Sequence, residues 1–476
     1  MHLSSKIVIT AIASAVIGCG GAASKGDADG GADGTGDKSG EAPGGAPISG
    51  ILTKLDISGA KTLFIAKSGT KSALALGAMA GDSGGGASDQ PTPTTGGTPT
   101  GGTPVPVLYK VMDDGQVVEV SRTWVGADGN PVSESSSVSP SCVWNASSTY
   151  VVVNYMSSTS LPFAVLTRKS DGAAFMSSAS ALNDLMCPQM SSGAGSPLST
   201  GTAPLQADGA GNLYVLKQGA VYKIDVTDPS LVSEARVTPE TDYVWSFVVN
   251  TVGYIYYAGN VGNGAGAGVW RFRSAAGSFI NTVSASVWTG LDGKFYRLES
   301  AMMPLEDGTT DLVRVEIGSG VTETTVATWP FTLSSSPVRL ADALVWLPGV
   351  SLSTYPTIMG GTPRVVRLTS MDQLPSVSTL PSSTFKTLAF GSSSIWFLGS
   401  DGATLTRWTS GATTPIATGG AYDIYSLSVS DDDTVTINAL QLADGRKIVA
   451  TVDAAGGVAI ANMGSSPEVI VFQRIN

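Results

Sequence analysis

Histidine is all but missing from this chain: the single one is His2, at the extreme N-terminus. A body without histidine holds no Ser-His-Asp triad, no Cys-His pair and no imidazole-ligated zinc, and lacks the commonest general base near neutral pH. Carboxylate pairs, lysine, tyrosine and oxygen-ligated calcium remain. Charge is sparse as well, with 14% Asp, Glu, Lys and Arg and a net value of −11. An acidic chain with scattered cations argues against nucleic acid and against a polybasic membrane surface. Past the N-terminal segment no run reaches the roughly 18 apolar residues that a spanning helix needs. Helical periodicity is absent too, because Gly, Ser, Thr and Pro interrupt every candidate. Only Leu182 to Met186 is expected to make a helical turn.

What is present starts with an address. Lys6 supplies a positive n-region, and Ile7 to Val16 an apolar segment too short to cross a bilayer. Val16-Ile17-Gly18-Cys19 follows, and the cysteine opens a Gly/Asp-rich tract. The arrangement resembles a bacterial lipoprotein signal with its lipobox. The resemblance implies lipidation of the Cys19 thiol, cleavage after Gly18 and acylation (palmitate or a similar chain) of the new amino terminus. One acyl chain holds a protein only marginally, at about 0.8 kcal/mol per buried methylene, whereas two or more anchor it stably. Gly20 and Gly21 follow the cysteine with no Asp directly after it. By the sorting rule of enteric bacteria this resembles an outer-membrane lipoprotein, periplasmic or surface-exposed.

Composition divides the remainder. Residues 1–18 read as the signal peptide and 19–47 as a lipidated, flexible tether, since a tract almost without large apolar side chains cannot offset the entropy of folding. Asp27, Asp29 and Asp33 in that tether lack the spacing and closing Glu of a calcium loop. Residues 48–81 hold short strand-like pieces, notably Lys61 to Ala66, and residues 82–106 form a Gly/Thr/Pro-rich linker expected to be disordered or extended. The folded body is expected over 107–476. After Cys19 two cysteines remain, Cys142 and Cys187, and in an oxidising compartment one disulfide between them is the simplest account; two buried thiols are the alternative.

From Val107 onward one unit recurs: an apolar, aromatic-rich strand, a turn carrying Gly or Asp, and a second apolar strand. Units begin near Leu108, Tyr150, Leu213, Tyr254, Phe295, Leu344, Ile395 and Val435. Expected partners of these strands are Val117 to Val120, Phe163 to Arg168, Val221 to Ile224, Val269 to Arg273, Leu312 to Glu316, Val365 to Leu368, Thr404 to Trp408 and Ile448 to Val452. A spacing near 40 to 50 residues with at least two strands per unit suits a β-propeller blade. Asp208-Gly209-Ala210-Gly211-Asn212-Leu213-Tyr214-Val215 resembles the D-x-x-G-N-L-Y-V turn and strand of bacterial propeller repeats, with weaker echoes at Asp292-Gly293 and Asp401-Gly402. The expected fold is therefore all-β, a β-propeller of seven or eight blades with eight favoured. Val469 to Phe472 is expected to close the ring against Lys61 to Ala66 or the strand at 107. A β-sandwich pair is the other architecture, disfavoured by the even repeat.

Few residues invite chemistry. Asp431-Asp432-Asp433 is the densest acidic cluster and the candidate calcium site, with a solvated hairpin entry as the plainer reading; Glu306-Asp307 with Asp311 is a weaker case. No other cofactor is expected. The nine tryptophans raise sugar stacking, but packing between blades is the expected role. Gly262 to Gly268 lies between two strands without the Lys-Ser/Thr and helix of a phosphate loop. The segment from Ala173 to Gly211 is the expected interaction loop. Function is read as a non-enzymatic, monomeric cell-envelope lipoprotein, membrane-held by its lipid, whose propeller is a binding platform for an envelope protein or glycan. A propeller enzyme acting on carbohydrate or using a quinone cofactor is one alternative, and a surface structural protein without a discrete ligand another.

Overall fold

A computed structural model of the chain describes residues 50–68 and 105–474, apart from short internal segments and the longer run 186–203. The signal segment, Cys19 and the tether lie outside the described residues, as do residues 69–104, which take in nearly all of the Gly/Thr/Pro-rich linker.

Eight four-stranded antiparallel sheets account for most of the described chain. Seven of them are simple meanders. Sheet 2 runs through Val138–Asn145, Tyr150–Ser157, Pro162–Arg168 and Ala174–Met176. Sheet 3 follows with Leu205–Ala207, Leu213–Lys217, Ala220–Asp225 and Ser233–Arg236, and sheet 4 with Tyr243–Val249, Ile255–Asn260, Val269–Arg273 and Phe279–Thr282. Sheet 5 comprises Trp288–Thr289, Phe295–Ser300, Thr310–Ile317 and Val321–Trp329, and sheet 6 Val338–Arg339, Leu344–Trp346, Arg364–Leu368 and Ser376–Thr379. Sheet 7 holds Phe385–Phe390, Ser394–Gly399, Leu405–Thr409 and Ala412–Ile416, and sheet 8 Tyr422–Val429, Val435–Gln441, Arg446–Val452 and Val458–Ile460. The strand pairs expected from the repeat are all present.

Sheet 1 is assembled from both ends of the chain, in the order Glu468–Arg474, Thr62–Ser68, Val105–Val111, Val117–Glu119. Thr62–Ser68 is flanked on both sides, pairing Phe64 with Tyr109 and with Phe472. Of the two partners expected for the C-terminal strand it takes Thr62–Ser68, which separates it from Val105–Val111. Val105–Val111 also begins two residues before the boundary read from composition.

The sheets pack in cyclic order. Glu468–Arg474 touches the first strands of sheets 2 and 8, and first strands also meet between sheets 3 and 4, 4 and 5, and 7 and 8. Shared apolar clusters join sheets 2 and 3, 5 and 6, and 6 and 7. The result is a closed propeller with the first strand of each sheet lining its centre.

Burial explains why the strands read as they do. Second strands are covered on both faces by neighbouring sheets, so Val151, Val152 and Val153, or Ile395, Trp396, Phe397 and Leu398, are all buried and form continuous apolar runs. Outer strands such as Ser233–Arg236 and Ser376–Thr379 are largely exposed and polar. A small sheet of Ile51–Leu55, Arg122–Val125 and Pro131–Val132 sits outside the eight. Its Leu52, Leu55 and Trp124 cover a cluster shared by sheets 1 and 2. The one helix among the described residues is Ser180–Asn183, slightly earlier than the expected turn. No described helix is long and apolar enough to cross a membrane.

Candidate functional site

The turns between first and second strands form one rim of the ring, and acidic or amide side chains build them. Asp208 Oδ1 accepts from the backbone N–H groups of Ala210 and Asn212, both at 3.0 Å, while Oδ2 accepts from Asn212 Nδ2 at 2.8 Å and Tyr214 Oη at 3.2 Å. Asp292 repeats the device, taking the Lys294 N–H at 3.1 Å and Tyr296 Oη at 2.9 Å. Asn250 does so with the N–H groups of Val252 and Tyr254. These are Asx turns, in which a short side chain replaces backbone partners that the bend removes. Burial, then the Asp208 carboxylate, hold the Tyr214 hydroxyl well above the ordinary phenol range, and burial and Asp292 do the same to Tyr296. Both tyrosines stay neutral donors.

Successive turns are laced together. Gly209 N–H donates to Thr251 O at 2.9 Å, Thr251 N–H to Gly293 O at 3.2 Å, and Arg339 Nη1 to Gly290 O at 2.9 Å. The sharpest sequence motif therefore serves architecture. Asp401 caps the turn between the second and third strands of sheet 7, accepting from Thr404 Oγ1 and from the N–H groups of Thr404 and Ala403, which holds its carboxyl below the usual range.

Of the acidic cluster at 431–433, Asp431 and Asp432 lie outside the described residues. Asp433 is buried, at φ 65°, in the sheet 8 turn. Its Oδ1 accepts from Ser394 Oγ and its Oδ2 from the Arg407 guanidinium, both on sheet 7. Trp396 Nε1 donates to the same Ser394 oxygen at 3.1 Å. Asp433 thus ties two sheets together, with both carboxylate oxygens already engaged by protein donors. Among the described residues no group of three or more His, Cys, Asp or Glu side chains is placed to hold a metal ion. Asp311 accepts from Thr328 Oγ1 at 2.6 Å, while Glu306 and Asp307 lie outside the described residues. Cys142 is 2% exposed on the first strand of sheet 2, and Cys187 lies outside, as do most of the expected interaction loop and the glycine run at 262–268.

A second feature marks the opposite rim. In four of the seven meander sheets the first strand carries a register shift near its start, so that the backbone ladder to the second strand skips one residue. The skipped residues are Ser141, Trp245, Lys386 and Tyr425. In sheet 1 the same shift in Glu468–Arg474 leaves Ile470 unpaired. A bulge bends the strand and re-aims a side chain, here at the inner edge of the ring. Trp245 is 49% exposed and Tyr425 38% exposed, beside Tyr243 at 59%. Lys386 crosses to the neighbouring first strand, donating to Ile424 O at 2.9 Å and pairing with Asp423 at 3.4 Å, with its Nζ 5.6 Å from the centre of the Tyr425 ring. The mouth so formed offers aromatic faces and a fixed cation.

The other described tryptophan side chains are core. Trp124, Trp144, Trp288, Trp329, Trp346, Trp396 and Trp408 are buried, and Trp346 sits edge-on to Trp288 and Trp329, each at 5.6 Å. Trp245 is the exception, and sequence reasoning grouped it with the rest. The missed signal is a four-residue pattern of apolar, bulged, small and apolar: Val244-Trp245-Ser246-Phe247, Ile424-Tyr425-Ser426-Leu427 and Phe385-Lys386-Thr387-Leu388. Small residues after the bulge are drawn inward, and Ser426 and Thr387 are buried.

Comparison with known proteins adds little. No family model matches the chain, and no curated protein matches it. Among solved structures, apo AztD from Citrobacter koseri is 11% identical, with 89% of this chain and 98% of that one covered and a TM-score of 0.37. A quinonprotein alcohol dehydrogenase-like protein from Bacteroides thetaiotaomicron is 10% identical over 78% and 84%, at 0.29. A putative TolB from Agrobacterium tumefaciens is 13% identical over 58% and 91%, at 0.26. At such scores none carries a functional argument, and the fold rests on the chain's own sheets.

Proposed function

We propose that this chain is a non-enzymatic lipoprotein of the cell envelope whose ring is a binding platform, and that the bulged mouth engages an envelope protein or glycan. The observation that carries the reading is the repeated bulge, which places Trp245, Lys386 and Tyr425 at the inner edge of the first strands instead of in the packed interfaces between sheets. Exposed tryptophan and tyrosine are among the residue types that dominate binding energy at interfaces, and Lys386 adds a cation beside the Tyr425 ring. The lipobox-like segment Val16-Ile17-Gly18-Cys19 supports the location. Within an oxidising envelope, Cys142 and Cys187 form a disulfide.

The reading is tested on the full chain in detergent, against fractionated envelope glycans and defined envelope proteins, beside a Trp245→Ala, Lys386→Gln, Tyr425→Ala variant. Loss of two aromatic contacts is expected to weaken binding about thirtyfold or more, with stability lowered by roughly 1–3 kcal/mol and the fold retained. Equal retention of every ligand by the variant refutes the mouth as the site. Intact mass after membrane extraction, with Cys19→Ala beside it, tests the anchor: an unlipidated wild-type chain in the medium refutes it.

A further inference from the structure

Sheet 4 gives the mouth two aromatic faces on one strand. Tyr243 and Trp245 flank the buried Val244, so both side chains leave the first strand toward solvent. Tyr243 is held in place from the neighbouring sheet. Its ring lies against Gly219, in the turn between the second and third strands of sheet 3, where any Cβ would collide with it. Gly219 has φ 76°, and its carbonyl accepts from the Val244 N–H at 2.7 Å. A residue without a Cβ is needed there both for the backbone and for the ring.

Four neutral polar groups accompany these faces: Tyr243 Oη, Trp245 Nε1, the amide of the exposed Gln218 next to Gly219, and the Asn260 amide. None of the four has a hydrogen-bond partner among the described residues. Asn260 is the second-strand partner of Tyr243, and directly opposed residues share one face of a sheet. The cations nearby are committed elsewhere. Arg271 donates to the buried Asp242 at 2.7 Å, and Arg236 to the carbonyls of Thr238 and Pro239. Lys217 reaches Ser180 Oγ at 3.1 Å. Asp242 also accepts from Tyr257 Oη at 2.7 Å, which leaves exposed Glu240 as the one charge of the preceding turn.

We propose that this patch is a subsite for a neutral glycan, with sugar rings stacked on Tyr243 and Trp245 and their hydroxyls bonded by Gln218 and Asn260. A pyranose presents a face of C–H groups that an aromatic ring covers, and a rim of hydroxyls that both donate and accept. A purely apolar partner would bury the four polar groups unpaired, which costs free energy. An anionic partner meets no uncommitted cation here. Tyrosine and tryptophan lose little entropy on binding, and Gly219 has already fixed the Tyr243 ring. The proposal rests on the mouth as the binding surface and narrows it to sheet 4 and one ligand class.

The test is calorimetric titration of the full chain, in a detergent without a sugar headgroup, with cellohexaose, maltohexaose and chitohexaose. The hexamer of galacturonic acid is the charged control. At least one neutral hexamer is expected to bind, the charged one about tenfold more weakly. The neutral affinity is expected to hold between about 0.01 M and about 1 M salt. Tyr243→Ala and Trp245→Ala are each expected to weaken binding about tenfold or more. Trp245→Phe, which keeps a ring face, is expected to lose about threefold or less, and Lys386→Gln with Tyr425→Ala to bind as wild type. No binding of any neutral hexamer, equal binding of the charged one, or unchanged affinity in the two alanine variants overturns the proposal. The wider reading fails separately: an envelope protein held by wild type and lost by the triple variant would keep the mouth as a binding surface while this inference falls.

Discussion

Trp346→Ala and Trp245→Ala, compared in one experiment, discriminate between the two kinds of tryptophan this ring contains. Trp346 is 1% exposed and lies edge-on to Trp288 and Trp329 where sheets 5 and 6 meet. Truncation removes roughly 150–250 Å² of buried aromatic surface, about 4–6 kcal/mol at 25 cal/mol per Å², which is an upper estimate because unfolded chains bury part of it already. Measured costs of burying and then deleting such a side chain run to about 3–5 kcal/mol, and two lost ring contacts place this case at the upper end. Trp245 is half-exposed on a bulge, and its deletion opens no enclosed cavity, so its loss is expected to cost about 1 kcal/mol. Urea unfolding followed by far-ultraviolet circular dichroism reads both, the midpoint reporting stability and the slope confirming that the same surface is exposed. A gap of about 3 kcal/mol is expected. Equal losses in the two variants would refute the argument, because they would mean that Trp346 does not lock the sheets together or that Trp245 does.

Two further outcomes follow from particular side chains. Thr404 Oγ1, then the Thr404 and Ala403 N–H groups, depress the Asp401 carboxyl in the folded chain, so the folded state binds its proton later than the unfolded one. That stabilisation is complete above the unfolded value of about 3.9 and is lost as pH falls through the lower folded value. Asp401→Asn is expected to lower stability at pH 6 by about 0.5 kcal/mol or less, given its exposure, and to flatten the loss of stability below about pH 4. Chemical denaturation across that range checks it, and an unchanged slope counts against the assignment. For the cysteines, thiol titration of the denatured wild type is expected to find neither Cys142 nor Cys187 reactive before reduction. Their 45-residue separation makes reduction cost about 4 kcal/mol on the chain-entropy estimate. Two reactive thiols without reductant would show the bond absent.

The strand repeat was legible because second strands are apolar on both faces. A run such as Tyr150 to Asn154 or Ile395 to Leu398 advertises itself without any knowledge of its neighbours. Asp-Gly turns added the punctuation, since Asx capping is decided within five residues. First strands were harder to place. Their register shifts exist only relative to a partner strand, and Trp245 follows a valine on a first strand just as buried Trp144 does. Asp433 shows the same limit: a run of adjacent carboxylates does not reveal that the one described meets Arg407 from the sheet before it.

Local patterns thus determined the all-β class, the repeat, the hairpin pairs and the want of histidine chemistry, because each depends on residues close in sequence or on composition alone. Tertiary structure decided what depends on distant partners. Thr62–Ser68 is shared between Val105–Val111 and the C-terminal strand. Bulges present Trp245 and Tyr425 to solvent. A ring is closed by contacts between residues hundreds of positions apart, and no sequence window contains both members of such a pair.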